Sequence, residues 1–384
     1  MMGEQDVRER LKAVEVPATQ LRVGAVVEGG RRRARRRRAA QAGLGAALAT
    51  GLLAAVPSLM AYTNGQRAGQ PAGLPSTAVC PATWLPVPDG MTAVRAAGVD
   101  PGGRYVIAND FRSSKRSTPQ GKLAGVGHSQ PVLWTDGMSQ TLPKVGDWVQ
   151  ADAVSAGGVV AAVAGPKDKW ADSVLRYIGG VPEKMIPPAG KWTFRDASVN
   201  RQGDIIVNAT RQGSGDRTDA VLLWKANAAT ATKLPLPAYA EGTSILDDGS
   251  ILGSVVSAKG DLTSFRWDER GLGRALTGPA NQQGAVNDAH GDWATGNLWP
   301  SGEVARWDLR TGEVTVLPVN APANAVNAAG WIVSNGTVLR DDATVELSSE
   351  NGGKGEPFAI ADTGLVVGWP FDDRSGVITW QCDR

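Results

Sequence analysis

Between residues 98 and 370 one phrase recurs seven times: a small residue, a branched aliphatic, a usually polar residue, a two-residue turn, a glycine and a short apolar run. The copies are GVDPGGRYVIAN (98 to 109), AVSAGGVVAAVA (153 to 164), SVNRQGDIIVNA (198 to 209), SILDDGSILGSV (244 to 255), AVNDAHGDWATG (285 to 296), AVNAAGWIVSNG (325 to 336) and AIADTGLVVGWP (359 to 370), the fifth with one extra turn residue. Stacking them aligns Gly103, Gly158, Gly203, Gly249, Gly291, Gly330 and Gly364, spaced 55, 45, 46, 42, 39 and 34 residues apart. A unit of this size cannot bury its apolar face alone and must stack on its neighbours, as solenoids, propellers and arrays do.

Three columns choose among those architectures. The aliphatic column is Val99, Val154, Val199, Ile245, Val286, Val326 and Ile360. The position before it faces the other side of a strand, because the side-chain period is two, and holds only small or absent side chains: Gly98, Ala153, Ser198, Ser244, Ala285, Ala325 and Ala359. A sheet that is large on one face and small on the other fits a blade wedged between two blades near a crowded axis. A third column closes a later strand with Trp134, Tyr177, Trp224, Trp267, Trp307, Asp341 and Trp380, so the sixth copy reads as degenerate. Leu142-Pro143, Leu234-Pro235 and Leu317-Pro318 follow, fitting an outermost strand where proline is tolerated.

Each repeat thus supplies four strands, and the 48 glycines and 23 prolines weigh against a helical alternative. The expected fold is all-β, a seven-bladed propeller over residues 80 to 384. The phrases resemble the N-D-A-G and A-F-L-W motifs of extracellular HAF-type and NHL-like propeller repeats, themselves WD40-like, with Asn287-Asp288-Ala289 and Asn327-Ala328-Ala329-Gly330 matching best. The resemblance spans most of residues 90 to 382 and implies a bacterial, membrane-anchored extracytoplasmic propeller. It specifies fold, and such folds host many functions.

The last repeat stops at Trp380-Gln381-Cys382 and lacks a fourth strand, while Trp84-Leu85-Pro86-Val87-Pro88 precedes the first repeat as an orphan. The orphan is expected to complete the last blade. Cys80 and Cys382, the only two cysteines, flank these segments and are expected to form a disulfide that locks the ring.

Charge divides the rest of the chain. The formal total of +2 argues against a dedicated nucleic-acid binder. Residues 1 to 38 carry eleven bases against five acids, or +6, which leaves −4 for the remainder. Residues 39 to 66 contain no charged side chain, and 42 to 62 read AGLGAALATGLLAAVPSLMAY. About 20 apolar residues suffice to cross a hydrocarbon core of about 30 Å. Residues 39–62 are therefore expected to form a transmembrane helix in contact with the bilayer. A cleaved signal peptide fits less well, because the basic head is long and Leu59-Met60-Ala61 is a poor small-x-small site. The arginine run at 31 to 38 places the 1–38 head in the cytoplasm and everything after Tyr62, the 63–79 linker included, outside the cell membrane.

Function is less legible. In propellers, ligands usually meet the channel mouth at the loops leading into the first strands, and five residues before the third position of each phrase lie Arg95, Gln150, Arg195, Glu241, Gln282, Pro322 and Glu356. All but Pro322 can hydrogen-bond, giving a candidate ligand ring; the alternative is ordinary solvated loop chemistry. On the same face Arg112, Lys115, Arg116, Lys122, Arg211 and Arg217 make a basic sector suited to an acidic protein or an anionic envelope polymer. No catalytic motif is present, His128 and His290 read as surface residues, and no cofactor or metal site is expected. The leading expectation is a binding or sensing module for an extracytoplasmic partner. One rival is a propeller hydrolase or lyase using Arg95, Arg195, Glu241 and Glu356. Another is a regulator whose head binds a cytoplasmic partner through the Val7, Leu11 and Val14 stripe; the layout resembles membrane-bound anti-sigma regulators, although residues 1 to 79 lack the His and Cys of their zinc-binding type.

Overall fold

The chain divides into two units, Met1–Leu74 and Pro75–Arg384. The computed structural model describes residues 80–111, 129–167, 169–214, 217–257, 260–341, 343–348, 354–370 and 376–382. The head, the expected span and the linker lie outside the described residues, as do His128 and the lysines and arginines of 112–128. Among the described residues no helix is long and apolar enough to cross a membrane.

Seven four-stranded antiparallel sheets follow one another along the chain. Their innermost strands are Val94–Val99, Trp148–Val154, Trp192–Val199, Ala240–Ile245, Gln283–His290, Ala323–Val326 and Gly355–Ile360. Each packs against the next, and the last packs against the first, so the blades close into a ring. The seventh blade takes its outermost strand from the other end of the chain. Ala82–Trp84 pairs with Ile378–Gln381, Ala82 opposite Trp380. That strand ends at Trp84 rather than beginning there, and the Leu85 amide extends the pairing to the Val377 carbonyl. Cys80 and Cys382 are joined by a disulfide, both buried, with Cα atoms 4.5 Å apart across a separation of 302 residues.

One rung crosses the first three strands of every blade. Val99–Val106–Trp134, Val154–Val160–Tyr177, Val199–Ile205–Trp224, Ile245–Ile251–Trp267 and Ile360–Val366–Trp380 follow the columns read from the sequence. Two blades depart from them. In the fifth the rung is Ala289–Ala294–Trp307, so Asp288 and Ala289, not Ala285 and Val286, occupy the small and aliphatic columns. Its turn is one residue shorter than that of the fourth blade, not one longer. In the sixth blade Leu339, not Asp341, takes the aromatic position opposite Ile332. A tight Asn335-Gly336 hairpin, both residues at positive φ, shortens that blade, and Asp341 is left as an ion-pair partner of Arg306.

The closing aromatics hold neighbouring blades together as well as filling the core. Five donate to a carbonyl just beyond the outermost strand of the preceding blade: Trp134 to Pro86, Tyr177 to Pro143, Trp224 to Ile186, Trp307 to Thr277 and Trp380 to Ser348, at 2.7 to 3.1 Å. Leu142 and Leu234 of the Leu-Pro pairs also lie directly after their outer strands, whereas Leu317-Pro318 lies inside one.

The innermost strands are joined by a second set of bonds. Asn109, on the second strand of blade one, donates to the Ala151 carbonyl and accepts from the Ala151 amide at 2.9 and 2.8 Å. Asn208 repeats this with Gly242 at 2.9 Å each way, and Asn297 clasps Ala321 and Ala323. In the small column, Ser198 accepts from the Ile245 amide, Ser244 from Ala289 and Asp288 from Val326. A buried amide pair costs its full desolvation when its partner is removed.

Two outcomes follow. Replacing Asn208 by Ala leaves a buried N–H and C=O of Gly242 unsatisfied and is expected to cost about 2 kcal/mol or more in chemical denaturation, against well under about 1 kcal/mol for a solvent-facing Asn. The Cys80→Ser/Cys382→Ser double variant frees both ends of the ring and is expected to lose up to about 5 kcal/mol by the same measurement.

Candidate functional site

Each innermost strand begins on one face of the ring and ends at its turn on the other. The first, or loop, face also carries the connections between second and third strands. The second, or turn, face carries the glycine turns. Along every innermost strand the register slips once, at a bulge occupied by Ala97, Asp152, Asp196, Thr243, Asn287, Asn324 or Phe358. A bulge re-aims its side chain. All of these except Asp196 line a central cavity of about 460 Å³ that reaches the turn face at Arg201, Asp247 and His290.

None of the six candidate ligand residues lines that cavity. Arg95, Gln150, Arg195, Glu241 and Glu356 lie near the loop-face start of their strands, ahead of the bulges. Gln282 precedes its strand, and Ala285 holds the corresponding position of blade five, a consequence of the shifted register. Only Arg195 and Glu241 are brought together, as an ion pair that Thr218 bridges. Gln150 donates to Asp152, Gln282 accepts from the Ser301 hydroxyl, and the Arg95 guanidinium lies 5.9 Å from the Trp369 ring centroid. Burial raises the Glu356 carboxyl above its ordinary value, against the opposing effect of Asn324.

What the loop face does display is aromatic. Phe111, Trp170, Tyr239 and Trp299 are all exposed there, and Phe358 is the remaining exposed aromatic among the described residues. Of the exposed aliphatic residues, Met138, Ile178, Val181 and Leu272 lie instead at the outer strands or the turns leading into them, and Ile186 directly follows the outer strand of blade two. Arginine accompanies one of these rings, Arg217 sitting 4.9 Å from the Tyr239 centroid, and Arg211 sits 5.3 Å from that of the buried Trp192. The hydrogen-bonding positions expected from the sequence do not include these rings, although Trp170 and Trp299 stand outside the aromatic column and so lack a core assignment.

The turn face is ionic. Arg201 pairs with Asp247 at 3.2 Å, Arg266 with Asp248 at 2.6 Å, and His290 Nε2 lies 3.1 Å from Asp362 Oδ2. The last contact joins blade five to blade seven over the short sixth blade, whose Ala328 amide donates to the same carboxylate. His290 is therefore a clasp rather than a free surface residue. Burial lowers its pKa, but Asp362, Asp288 and Asp247 outweigh burial and leave it above the ordinary histidine value. Asp362 is held below the carboxylate range, since its bonds to His290 and Ala328 overcome the upward push of burial. Inside the cavity, burial raises Asp152 to about 7 and also raises Asp288.

No protein-family model matches the chain, and no curated protein does. Solved structures do. The crystal structure of the RRP9 WD40 repeats is 10% identical with a TM-score of 0.51, covering 78% of this chain and 97% of that one. The structure of U3-55K is 10% identical with a TM-score of 0.50, covering 78% and 98%. At that identity the likeness concerns the fold.

The clasp has a defined pH window. A raised His290 contributes stability in full below its unfolded value of about 6.5 and loses it as pH rises through the higher folded value; a depressed Asp362 contributes above about pH 4 and loses it as pH falls further. The stability difference between the wild type and His290→Gln, measured by thermal unfolding, is expected to peak between about pH 4 and 6.5 and to shrink above that range.

Proposed function

We propose that the chain is a single-pass membrane protein whose propeller stands outside the membrane and binds a polypeptide partner on its loop face. The observation that carries the binding reading is the placement of Phe111, Trp170, Tyr239 and Trp299, all exposed on that one face. Tryptophan, tyrosine and arginine supply most of the binding energy at protein interfaces, because a large rigid surface is buried at little entropic cost. On the same face Arg195 is matched by Glu241, and Arg211 lies near Asp219. These paired charges favour a polypeptide surface over an anionic envelope polymer.

The topological part rests on the sequence. The +6 head beside an uncharged apolar stretch supports an N-terminus in the cytoplasm, and the disulfide is compatible with an oxidising compartment for the propeller. In this reading the Val7, Leu11 and Val14 stripe is free to engage a cytoplasmic partner, so the two ends of the molecule can be occupied on opposite sides of the bilayer.

Photo-crosslinking residues installed singly at Trp170 and Trp299 are expected to give protein adducts in intact cells, and those at Ile178 and Leu272 none. Equal adducts from both sets would refute the loop-face assignment. Alkaline phosphatase is expected to be active when fused after residue 384 and inactive when fused after residue 38; the opposite pattern would refute the topology.

A further inference from the structure

We propose that the central cavity is a binding site for a small organic cation, one bearing a primary ammonium or guanidinium group. The cavity, at about 460 Å³, lies in the size range of small-molecule sites. Its polarity is one-sided. The Asn287 amide nitrogen donates to Asn297 Oδ1 and the Ala323 carbonyl, the Asn324 amide nitrogen to the Pro357 carbonyl, and the Thr243 hydroxyl to the Val286 carbonyl. With those donors engaged, the lining side chains offer oxygen acceptors.

Two carboxylates reinforce that bias. Asp152 accepts from Gln150 and from the Ala197 amide, and Asp288 from Ser244 and the Val326 amide. A carboxylate has about four acceptor sites, so capacity remains on each. The positive groups at the turn-face mouth are each matched by an acid, Arg201 by Asp247, Arg266 by Asp248 and His290 by Asp362, which leaves little to attract an anion.

The wall contributed by blade seven decides what kind of cation fits. Phe358, exposed at the bulge where other blades carry small or polar residues, faces this acceptor-rich space and packs against Trp369 with ring centroids 5.6 Å apart. An aromatic face attracts an organic cation and solvates its hydrocarbon body. Among the described residues no three acids or histidines converge as metal ligands. Donor-rich head and apolar body together specify an alkylammonium or alkylguanidinium compound.

Binding is linked to protons. In the free protein burial holds the Asp152 carboxyl at about 7, opposed by the Ala197 amide and Gln150 and assisted by Asp196. Blade five adds Asp288 and His290 to the same cavity. A cation selects the ionised carboxylate, so affinity rises with pH and levels off above about 7.

The test is isothermal titration of the full chain in detergent micelles with agmatine, and with glutarate as an anion of similar length. Agmatine is expected to saturate and glutarate to give no heat of binding. Asp152→Asn is expected to weaken agmatine about tenfold and Phe358→Leu about threefold, while Trp299→Ala on the loop face leaves affinity unchanged. Absence of saturation by about 10 mM agmatine, equal binding of glutarate, or displacement by stoichiometric calcium would overturn the proposal. So would wild-type affinity in Asp152→Asn with an intact thermal transition. Should that variant fail to fold, a wild-type affinity unchanged between about pH 5.5 and 8 overturns it instead. Since the loop-face reading rests on Trp170 and Trp299, either reading can fail while the other stands.

Discussion

Every blade presents an innermost strand whose outer edge pairs with its own second strand and whose inner edge faces the axis, where no further strand is available. Backbone groups left on that side would be buried against neighbouring blades without partners, at about 1 to 3 kcal/mol each. Side chains of the preceding blade meet this demand. Asn109, Asn208 and Asn297 reach across three seams from second strands, and Ser198, Ser244 and Asp288 reach across from innermost strands. The identity of each innermost strand, and so the shape of the lumen, depends on this inter-blade bonding.

Such a ring has one place that chain connectivity does not join, inside blade seven between Ile378–Gln381 and Ala82–Trp84. Three interactions concentrate in that blade. The Ala82–Trp84 strand completes blade seven, the Cys80–Cys382 disulfide fixes the two chain ends, and Trp369 lies at the position that Asn109, Asn208 and Asn297 hold elsewhere. Trp369 packs with Val94 and Ala96 of blade one, and Arg95 lies over its ring. At the seam between blades seven and one a hydrophobic contact takes the place of the amide clip. Phe358, beside Trp369, enters the lumen as part of the same seam.

The rungs were legible because burial on both faces leaves a period-two imprint, and Val99, Ile245 or Trp224 could hardly stand elsewhere. Blade five misled because Ala285-Val286-Asn287 repeats the small-aliphatic-polar phrase three residues too early. Val286 sits before the bulge, opposite Gly296, where a Cβ would come within 1.7 Å of the Ala285 carbonyl. The glycine answers the backbone of the bulge, as Gly253 and Gly368 do in blades four and seven, and sequence order alone does not reveal where the bulge falls. Asp341 misled for a related reason: the Asn335-Gly336 turn draws the third strand of blade six forward, which places Leu339 in the rung. The asparagine clips left a signal that went unread, since Asn109, Asn208 and Asn297 recur on second strands just beyond the apolar run. The cavity could not be read at all, because bulge positions depend on register.

The clips also set the sign of the lumen. An asparagine at a bulge or beside it meets a neighbouring blade chiefly through that blade's carbonyls, and a carbonyl accepts only from a nitrogen or hydroxyl donor. Asn287 and Asn324, which line the cavity, therefore spend their amide nitrogens on carbonyls of the next blade. Where the demand is an unpaired amide rather than a carbonyl, an acceptor is required, and Asp152 and Asp288 supply a carboxylate with lone pairs to spare. Both kinds of clip use up donors and leave acceptor capacity among the lining side chains. An acceptor-rich axis is thus a consequence of holding seven wedges in a ring by side chains from one direction, and the aromatic seam at Phe358 gives that axis a single apolar wall.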